Sequence, residues 1–162
     1  MLGQLNLAGK DRVQVAIERL KTFEPPEGYY LAFSGGKDSI CIKHLADLAE
    51  VKYDAHYNVT SVDPPELVYF IRENHPDVSM DRPLDKDGKQ YTMWNLIVKH
   101  LMPPTRVIRY CCKYLKETSG YGRFTMTGVR RAESAARSRR GGGKSVRAKI
   151  RNTSTLIIRA NK

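Results

Sequence analysis

The sequence predicts an α/β fold in which a doubly wound, mostly parallel twisted sheet is flanked by helices. Three observations predict this class. Short apolar runs typical of buried parallel strands alternate with stretches of helical periodicity, and clusters of glycine and proline separate them. Strands and helices in alternation connect by right-handed crossovers and form one sheet covered on both faces. The 162 residues suffice for one such domain.

The first half of the chain begins with a predicted helix over residues 11–22. Its apolar residues repeat at spacings of three and four, namely Val13, Ala16, Ile17 and Leu20. Residues 29–33 form a short apolar and aromatic run, typical of a buried strand. A second helix is predicted from the glycine-containing turn at 34–39 to about Glu50, with Cys41 in its core-facing side.

The next predicted pair is a strand over residues 55–62 and a helix that begins at Asp63. Asp63 is the expected N-cap, Pro64 the first helical residue, and Glu66 the partner in a capping box. The apolar face of this helix is expected to be Leu67, Val68, Phe70 and Ile71.

The second half contains a charged stretch at 81–90, which is predicted as a loop, and a helix over 92–102. This helix is expected to bury the apolar side formed by Trp94, Ile97, Val98 and Leu101. The remaining predicted elements are a short helix over 111–117, a strand over 124–127 that ends at Gly128, and one or two strands within 146–159.

The predicted organisation has three parts. Residues 1–28 form an N-terminal helix and linker, residues 29–140 a nucleotide-binding α/β domain, and residues 141–162 a basic loop with a short strand segment. No apolar run approaches the roughly 18–20 residues of a membrane span. Three cysteines, two of them adjacent, do not form a secreted disulfide scaffold, so a reduced, cytoplasmic protein without a membrane partner is expected.

The net charge of +11 is concentrated at one end of the chain. Residues 123–162 contain 12 Lys and Arg but only one acidic residue, Glu133, whereas residues 1–122 carry no net charge. This asymmetry predicts an anionic partner, which can be a nucleotide, a nucleic acid or an anionic surface. The alternative is a basic tail that is only solvated.

The turn Ser-Gly-Gly-Lys-Asp-Ser at residues 34–39 carries the most chemistry. It joins a predicted strand to a predicted helix, and its two glycines let the backbone approach a ligand closely. Open backbone N–H groups and the helix dipole favour an anion there. Ser34 and Ser39 add hydroxyl groups, Lys37 adds a positive charge, and Asp38 is expected to cap the turn or help hold a cation.

This hexapeptide lacks the spacing of the Walker motif and the third glycine of the dinucleotide motif. It resembles the PP-loop of the adenine nucleotide α-hydrolase-like superfamily, whose members bind ATP or adenylyl compounds and act at the α-phosphate. Three further segments resemble the phosphoadenosine phosphosulfate (3′-phosphoadenylylsulfate) reductase family. These are Val62-Asp63-Pro64-Pro65-Glu66, Pro103 to Lys116 with Arg106, Arg109 and Cys111-Cys112, and Thr127 to Ser134 with Arg137.

The resemblance implies ATP or an adenylylsulfate as the ligand, with sulfonucleotide reduction or ATP-dependent sulfur transfer as the reaction. Mg²⁺ would accompany ATP. The implied catalytic residues are Lys37, Asp38, Cys111 and Cys112. The implied phosphate-binding and nucleotide-binding residues are Ser34, Gly35, Gly36, Lys37, Asp38, Ser39, Asp63, Gly128, Arg130, Arg131 and Arg137.

The cysteines depart from the pattern of a complete reductase. An iron–sulfur cluster usually needs four thiolates, and no cysteine follows Cys112. A cluster is therefore not expected in this chain alone. Cys111 and Cys112 remain open to three interpretations: half of a cluster site completed by another chain, a persulfide carrier whose thiol pKa is lowered by Arg109 and Lys113, or a remnant of a shared fold.

The C-terminal part also departs from the family, whose members usually continue with another strand and a tryptophan-containing helical segment. A naturally minimal or a truncated member is expected. A thiol or sulfur donor protein and a second copy of the chain are candidate partners. The alternative function is an accessory protein that retains the fold and binds nucleic acid through its basic C-terminal portion.

Overall fold

The computed structural model describes residues 11–116, 119–120, 122–128 and 155–157. The helices are α1 (Arg12–Thr22), α2 (Lys37–Ala49), α3 (Pro65–Asn74), α4 (Met93–His100) and α5 (Tyr110–Leu115). The strands are β1 (Tyr29–Ala32), β2 (Tyr53–Asn58), β3 (Ser79–Asp81), β4 (Thr125–Thr127) and β5 (Thr155–Ile157). All described strand pairs are parallel, so the predicted α/β doubly wound class is confirmed.

The strand order is β3-β2-β1-β4-β5. The chain moves outward from β1 to β2 and β3, and then returns to the other side of β1 to add β4. In register, Tyr30 of β1 lies beside Thr125 of β4. The boundary between β1 and β4 is therefore the topological switch point, where ligands bind in open α/β sheets.

One face of the sheet carries the main core. Tyr29 and Leu31 of β1 and Met126 of β4 are fully buried there against α1, α2 and α3. The hydroxyl group of Tyr29 donates a 2.9 Å hydrogen bond to the carbonyl group of Leu20 in α1, which satisfies a buried polar atom. This packing fixes α2 against β1 and thereby fixes the turn between them.

The opposite face is polar in its centre. The ring of His56 stacks on the ring of Tyr30 at 4.5 Å between centroids, and its Nδ1 atom lies 2.9 Å from Oδ2 of Asp81. Ser119 donates to the side-chain oxygen of Asn58 at the same face. The three strands therefore share a hydrogen-bonded centre there in place of a second apolar layer.

Helices α4 and α5 form a separate, smaller apolar cluster around Leu96, Tyr110 and Leu115. Thr92 caps α4, and its hydroxyl oxygen accepts from the N–H of Asn95 while the Asn95 side chain accepts from the N–H of Thr92. This capping box fixes the start of α4, as the sequence predicted within one residue.

Several sequence expectations are wrong in detail. Asp63 is not the N-cap of α3, because Pro64 occupies that position and the helix begins at Pro65. Cys41 is exposed and does not belong to the core. The predicted apolar side of the helix over 92–102 faces solvent at Trp94, Val98 and Leu101, since its buried residue is Leu96.

Two strand boundaries also differ from the prediction. β2 ends at Asn58 and does not extend to residue 62, because residues 59–63 turn toward α3. Asp81, placed in a loop by the sequence, is the last residue of β3. The described β5 falls within the predicted strand region 146–159, and the rest of that region lies outside the described residues. In the part of the chain that the structure describes, no helix combines the length and apolar character needed to cross a membrane.

Candidate functional site

The turn between β1 and α2 lies at the carboxyl end of β1, beside the switch point. Gly36 is the N-cap of α2, with φ −80° and ψ 158°, and no side chain caps the helix there. Lys37, the first helical residue, is exposed, and Asp38 is half-buried. The N-terminus of a 13-residue helix therefore opens at this edge of the sheet.

Three consecutive backbone donors of this turn are open to a ligand. The N–H groups of Gly35, Gly36 and Lys37 have no acceptor among the described residues. The first N–H groups of a helix have no partner within the helix, and the helix dipole adds partial positive charge to them. With the Lys37 ammonium group beside them, these donors form an anion-binding arrangement.

Ser39 holds the turn in shape from inside. Its buried hydroxyl group donates to the carbonyl oxygen of Gly36 at 2.8 Å. The same hydroxyl oxygen accepts from the backbone N–H of Ser34 at 3.2 Å and from the Ser34 hydroxyl group at 3.2 Å. Ser39 therefore stabilises the turn through three hydrogen bonds, whereas Ser34 is exposed to solvent.

Gly35 lets the turn sit directly on α3. Its φ of +69° lies in the left-handed region, and a Cβ at this position would lie 2.6 Å from Cδ1 of Leu67 and 3.1 Å from Cδ1 of Ile71. Both the backbone conformation and the available space therefore require glycine.

Gly128 closes the site from the β4 side. It follows β4, and a Cβ there would lie 3.0 Å from Cβ of Asp38 and 3.1 Å from the Asp38 carbonyl oxygen. The absence of a side chain lets the end of β4 touch the first turn of α2. The structure thus brings Gly128 and the turn at 34–39 together at the switch point, as the sequence predicted.

Asp63 stabilises the next turn along the sheet edge, between β2 and α3. Its Oδ2 atom accepts hydrogen bonds from the Tyr57 hydroxyl group at 2.6 Å, the Thr60 hydroxyl group at 2.6 Å and the Thr60 N–H at 3.2 Å. Burial alone would raise the pKa of Asp63, but these hydrogen bonds outweigh burial and lower the pKa below its ordinary value. The carboxylate is therefore charged at neutral pH, and its donors come from its own turn and from the end of β2.

A cavity of about 300 Å³ opens beside this second turn. Its lining side chains come from the end of β2 and from α3: Val59, Ser61, Asp63, Pro65, Val68, Tyr69 and Arg72. Ser61 has φ +67°, and its hydroxyl oxygen accepts from the N–H of Met93, which ties the start of α4 to this edge. Of these residues the sequence predicted only Asp63 as part of a site, because the lining of a cavity depends on how α3 packs beside the end of β2.

The cysteine pair lies in α5, where both thiols are half-buried. Burial, with the neighbouring Cys112, raises the pKa of the Cys111 thiol. The expectation that nearby cations lower the thiol pKa is therefore wrong for Cys111. The guanidinium group of Arg109 instead contacts Cys112, with 3.2 Å between Nη2 and Sγ. Within the described ranges, no group of three or more Cys, His, Asp or Glu side chains is placed to hold a metal ion.

Three predicted phosphate-binding residues, Arg130, Arg131 and Arg137, lie outside the described residues. Comparisons of the chain with protein-family models, with curated proteins and with solved structures found no match. The family resemblance therefore stays a prediction from the sequence.

Proposed function

We propose that the chain binds an adenine nucleotide, ATP or an adenylylsulfate, with its phosphate or sulfate groups on the turn at residues 34–39. The observation that carries this proposal is the row of N–H groups of Gly35, Gly36 and Lys37 at the start of α2, beside the switch point, for which the described residues supply no acceptor. Three adjacent N–H groups and one ammonium group suit a ligand that ends in a phosphate or sulfate group.

Each residue of the site has a role in this proposal. The N–H groups and the Lys37 ammonium group bind the terminal phosphate or sulfate oxygens. Gly35 keeps the turn packed on α3 and Gly128 keeps the end of β4 against α2, while Ser39 maintains the shape of the turn. By resemblance, Arg130, Arg131 and Arg137 would neutralise the remaining charge. Asp38 would help hold the Mg²⁺ that accompanies ATP, and this ion would offset phosphate charge.

The proposed reaction class is cleavage between the α- and β-phosphates of ATP, with an acceptor activated as its adenylate and pyrophosphate released. Reduction of a sulfonucleotide would instead need a thiolate that attacks sulfur. The cysteine count supports the ATP reaction, because an iron–sulfur cluster usually needs four thiolates and the sequence contains three cysteines. ATP-dependent sulfur transfer is therefore the reaction that we favour.

The test is calorimetric titration of the full chain with ATP, adenylylsulfate and 3′-phosphoadenylylsulfate. The variant Lys37→Ala should weaken binding by about 1.5–3 kcal/mol, the range for a hydrogen bond to a charged group, while the free energy of unfolding stays within about 0.5 kcal/mol. Lys52→Ala is the matched control, since this exposed lysine precedes β2 at the opposite end of the sheet. Equal nucleotide affinity in the Lys37→Ala and parent proteins would show that the turn is not the site.

A further inference from the structure

Helices α4 and α5 present a surface that the nucleotide site does not use. Its apolar members are exposed: Trp94 by 68%, Val98 by 73%, Leu101 by 90% and Val107 by 91%. Trp94 and Val98 are four residues apart and lie on one side of α4, and Leu101 follows as the C-cap that ends the helix. Exposed apolar residues that form a continuous stripe mark interaction sites.

The two helices pack as one unit, so their exposed residues lie on neighbouring parts of that unit. His100 of α4 stacks on Tyr110 of α5 with 4.1 Å between ring centroids. The Tyr110 hydroxyl group donates to the carbonyl oxygen of Met102 at 2.6 Å. Thr105 and Ile108 close the connecting turn by mutual hydrogen bonds, which places Arg106 and Val107 at its tip. We call Trp94, Val98, Leu101, Arg106, Val107 and Arg109 the α4–α5 surface.

The charge of this region has one sign. Residues 91–116 contain no Asp or Glu, whereas they contain the exposed cations Lys99, Arg106, Arg109, Lys113 and Lys116. A second copy of the chain would bring these cations against each other. The surface is therefore complementary to a polyanion, and its stripe suits one with apolar or aromatic groups to bury.

We propose that the α4–α5 surface binds single-stranded nucleic acid. Arg106 and Arg109 would contact phosphates, and the exposed indole of Trp94 would stack on an unpaired base. Stacking needs an unpaired base, which favours a single strand over a duplex. Leu101 and Val107 would cover the sugar and base edges beside it. An acidic polypeptide offers the same charge but no base to stack on Trp94.

Trp94 is the only tryptophan in the chain, so its fluorescence reports on this surface alone. The experiment titrates the full chain at low salt with a 20-nucleotide oligothymidylate and follows Trp94 emission. We expect quenching that saturates. The double variant Arg106→Gln/Arg109→Gln should weaken binding at least about tenfold and reduce the log–log salt slope by about 1.4, at about 0.7 per phosphate contact on single strands.

The matched control is Lys86→Gln/Lys89→Gln, which removes two exposed cations from the turn before α4 and should change the affinity less than twofold. A labelled oligothymidylate, followed by anisotropy, should bind Trp94→Ala about fivefold to a hundredfold more weakly, and Trp94→Phe should restore most of that loss. The Phe variant separates stacking from a loss of folding.

Two further ligands decide the class of partner. A 20-base-pair duplex and polyglutamate of matched charge should quench Trp94 weakly. Quenching by polyglutamate as strong as by oligothymidylate would overturn the assignment to nucleic acid, and equal quenching by the duplex would overturn the preference for single strands. Oligothymidylate binding without any change in Trp94 emission would place the nucleic acid elsewhere and overturn the proposal.

Discussion

The two turns that follow β1 and β2 occupy the same edge of the sheet and differ in what their donors meet. In the first turn, the N–H groups of Gly35, Gly36 and Lys37 meet no acceptor among the described residues. In the second turn, the Asp63 carboxylate accepts from Thr60 and Tyr57. The donors of the first turn remain for an external anion. Those of the second turn already bind an internal anion, the Asp63 carboxylate.

This difference shows that neighbouring strand ends of one sheet can have separate roles: one turn is suited to bind a ligand, and the other stabilises the fold. A carboxylate within a turn satisfies local donors and repels an incoming anion. A turn built from glycine and serine leaves its donors for a ligand and depends on close packing for its shape. The following substitutions test this division, beginning with the largest expected effect.

Gly35→Ala should lower the free energy of unfolding by about 2–4 kcal/mol. About 1–2 kcal/mol comes from a side chain at positive φ and the rest from overlap with Leu67 and Ile71. Urea denaturation of both proteins measures the change. Gly88→Ala is the matched control, because Gly88 has φ +76° with nothing within 4 Å of the added Cβ, and should cost only the backbone part. Equal losses in the two variants would mean that the turn is not packed on α3.

Gly36→Asp should make the first turn resemble the second, because it adds a carboxylate that can accept from the N–H groups of the turn itself. A Cβ at Gly36 would lie 3.5 Å from Oγ of Ser34, so the side chain fits. The new carboxylate should cap α2 and raise the free energy of unfolding by several tenths of a kcal/mol, while nucleotide affinity falls at least about a hundredfold. Gly36→Asn, with the same shape and no charge, should retain more affinity. Nucleotide affinity unchanged in the aspartate variant would contradict an anion site at this turn.

Asp63→Asn should lower the free energy of unfolding at neutral pH by about 1–2 kcal/mol, because the buried Tyr57 and Thr60 hydroxyl groups lose a charged acceptor. The folded-state pKa of Asp63 lies below its unfolded value, so its stabilisation is full above about pH 4 and is lost as the pH falls through the folded-state pKa. Chemical denaturation between pH 2 and 7 should therefore show the two proteins converging in acid. A constant difference down to pH 2 would show that the charge is not the cause.

The sequence predicted the strand–turn–helix unit at residues 29–50 because three independent signals coincide there: an apolar run, two adjacent glycines and helical periodicity. It also predicted that Gly128 lies at the edge of the sheet with this turn. It could not predict the contact with Asp38, since that contact depends on how β4 docks beside β1.

The errors have physical causes in particular residues. Asp63 has the sequence of an N-cap, but the buried Tyr57 and Thr60 hydroxyl groups compete for its carboxylate. The stripe containing Trp94 and Leu101 was assigned to a core because helical periodicity gives the side of a helix without saying whether anything covers it. Periodicity alone therefore does not distinguish a buried apolar side of a helix from an exposed one.

The adjacency of β1 and β4 also bears on the order of folding. Tyr30 and Thr125 are paired in register although about 95 residues separate them along the chain. Closing so long a loop is entropically costly, and contacts of this range form slowly. A chain still growing from the ribosome would already contain the turn at 34–39. It would still lack Gly128, whose contact with Asp38 places the end of β4 beside this turn. Under the proposed function, nucleotide affinity would then be acquired only after residue 128 is in place, and added nucleotide would favour chains that have completed this step.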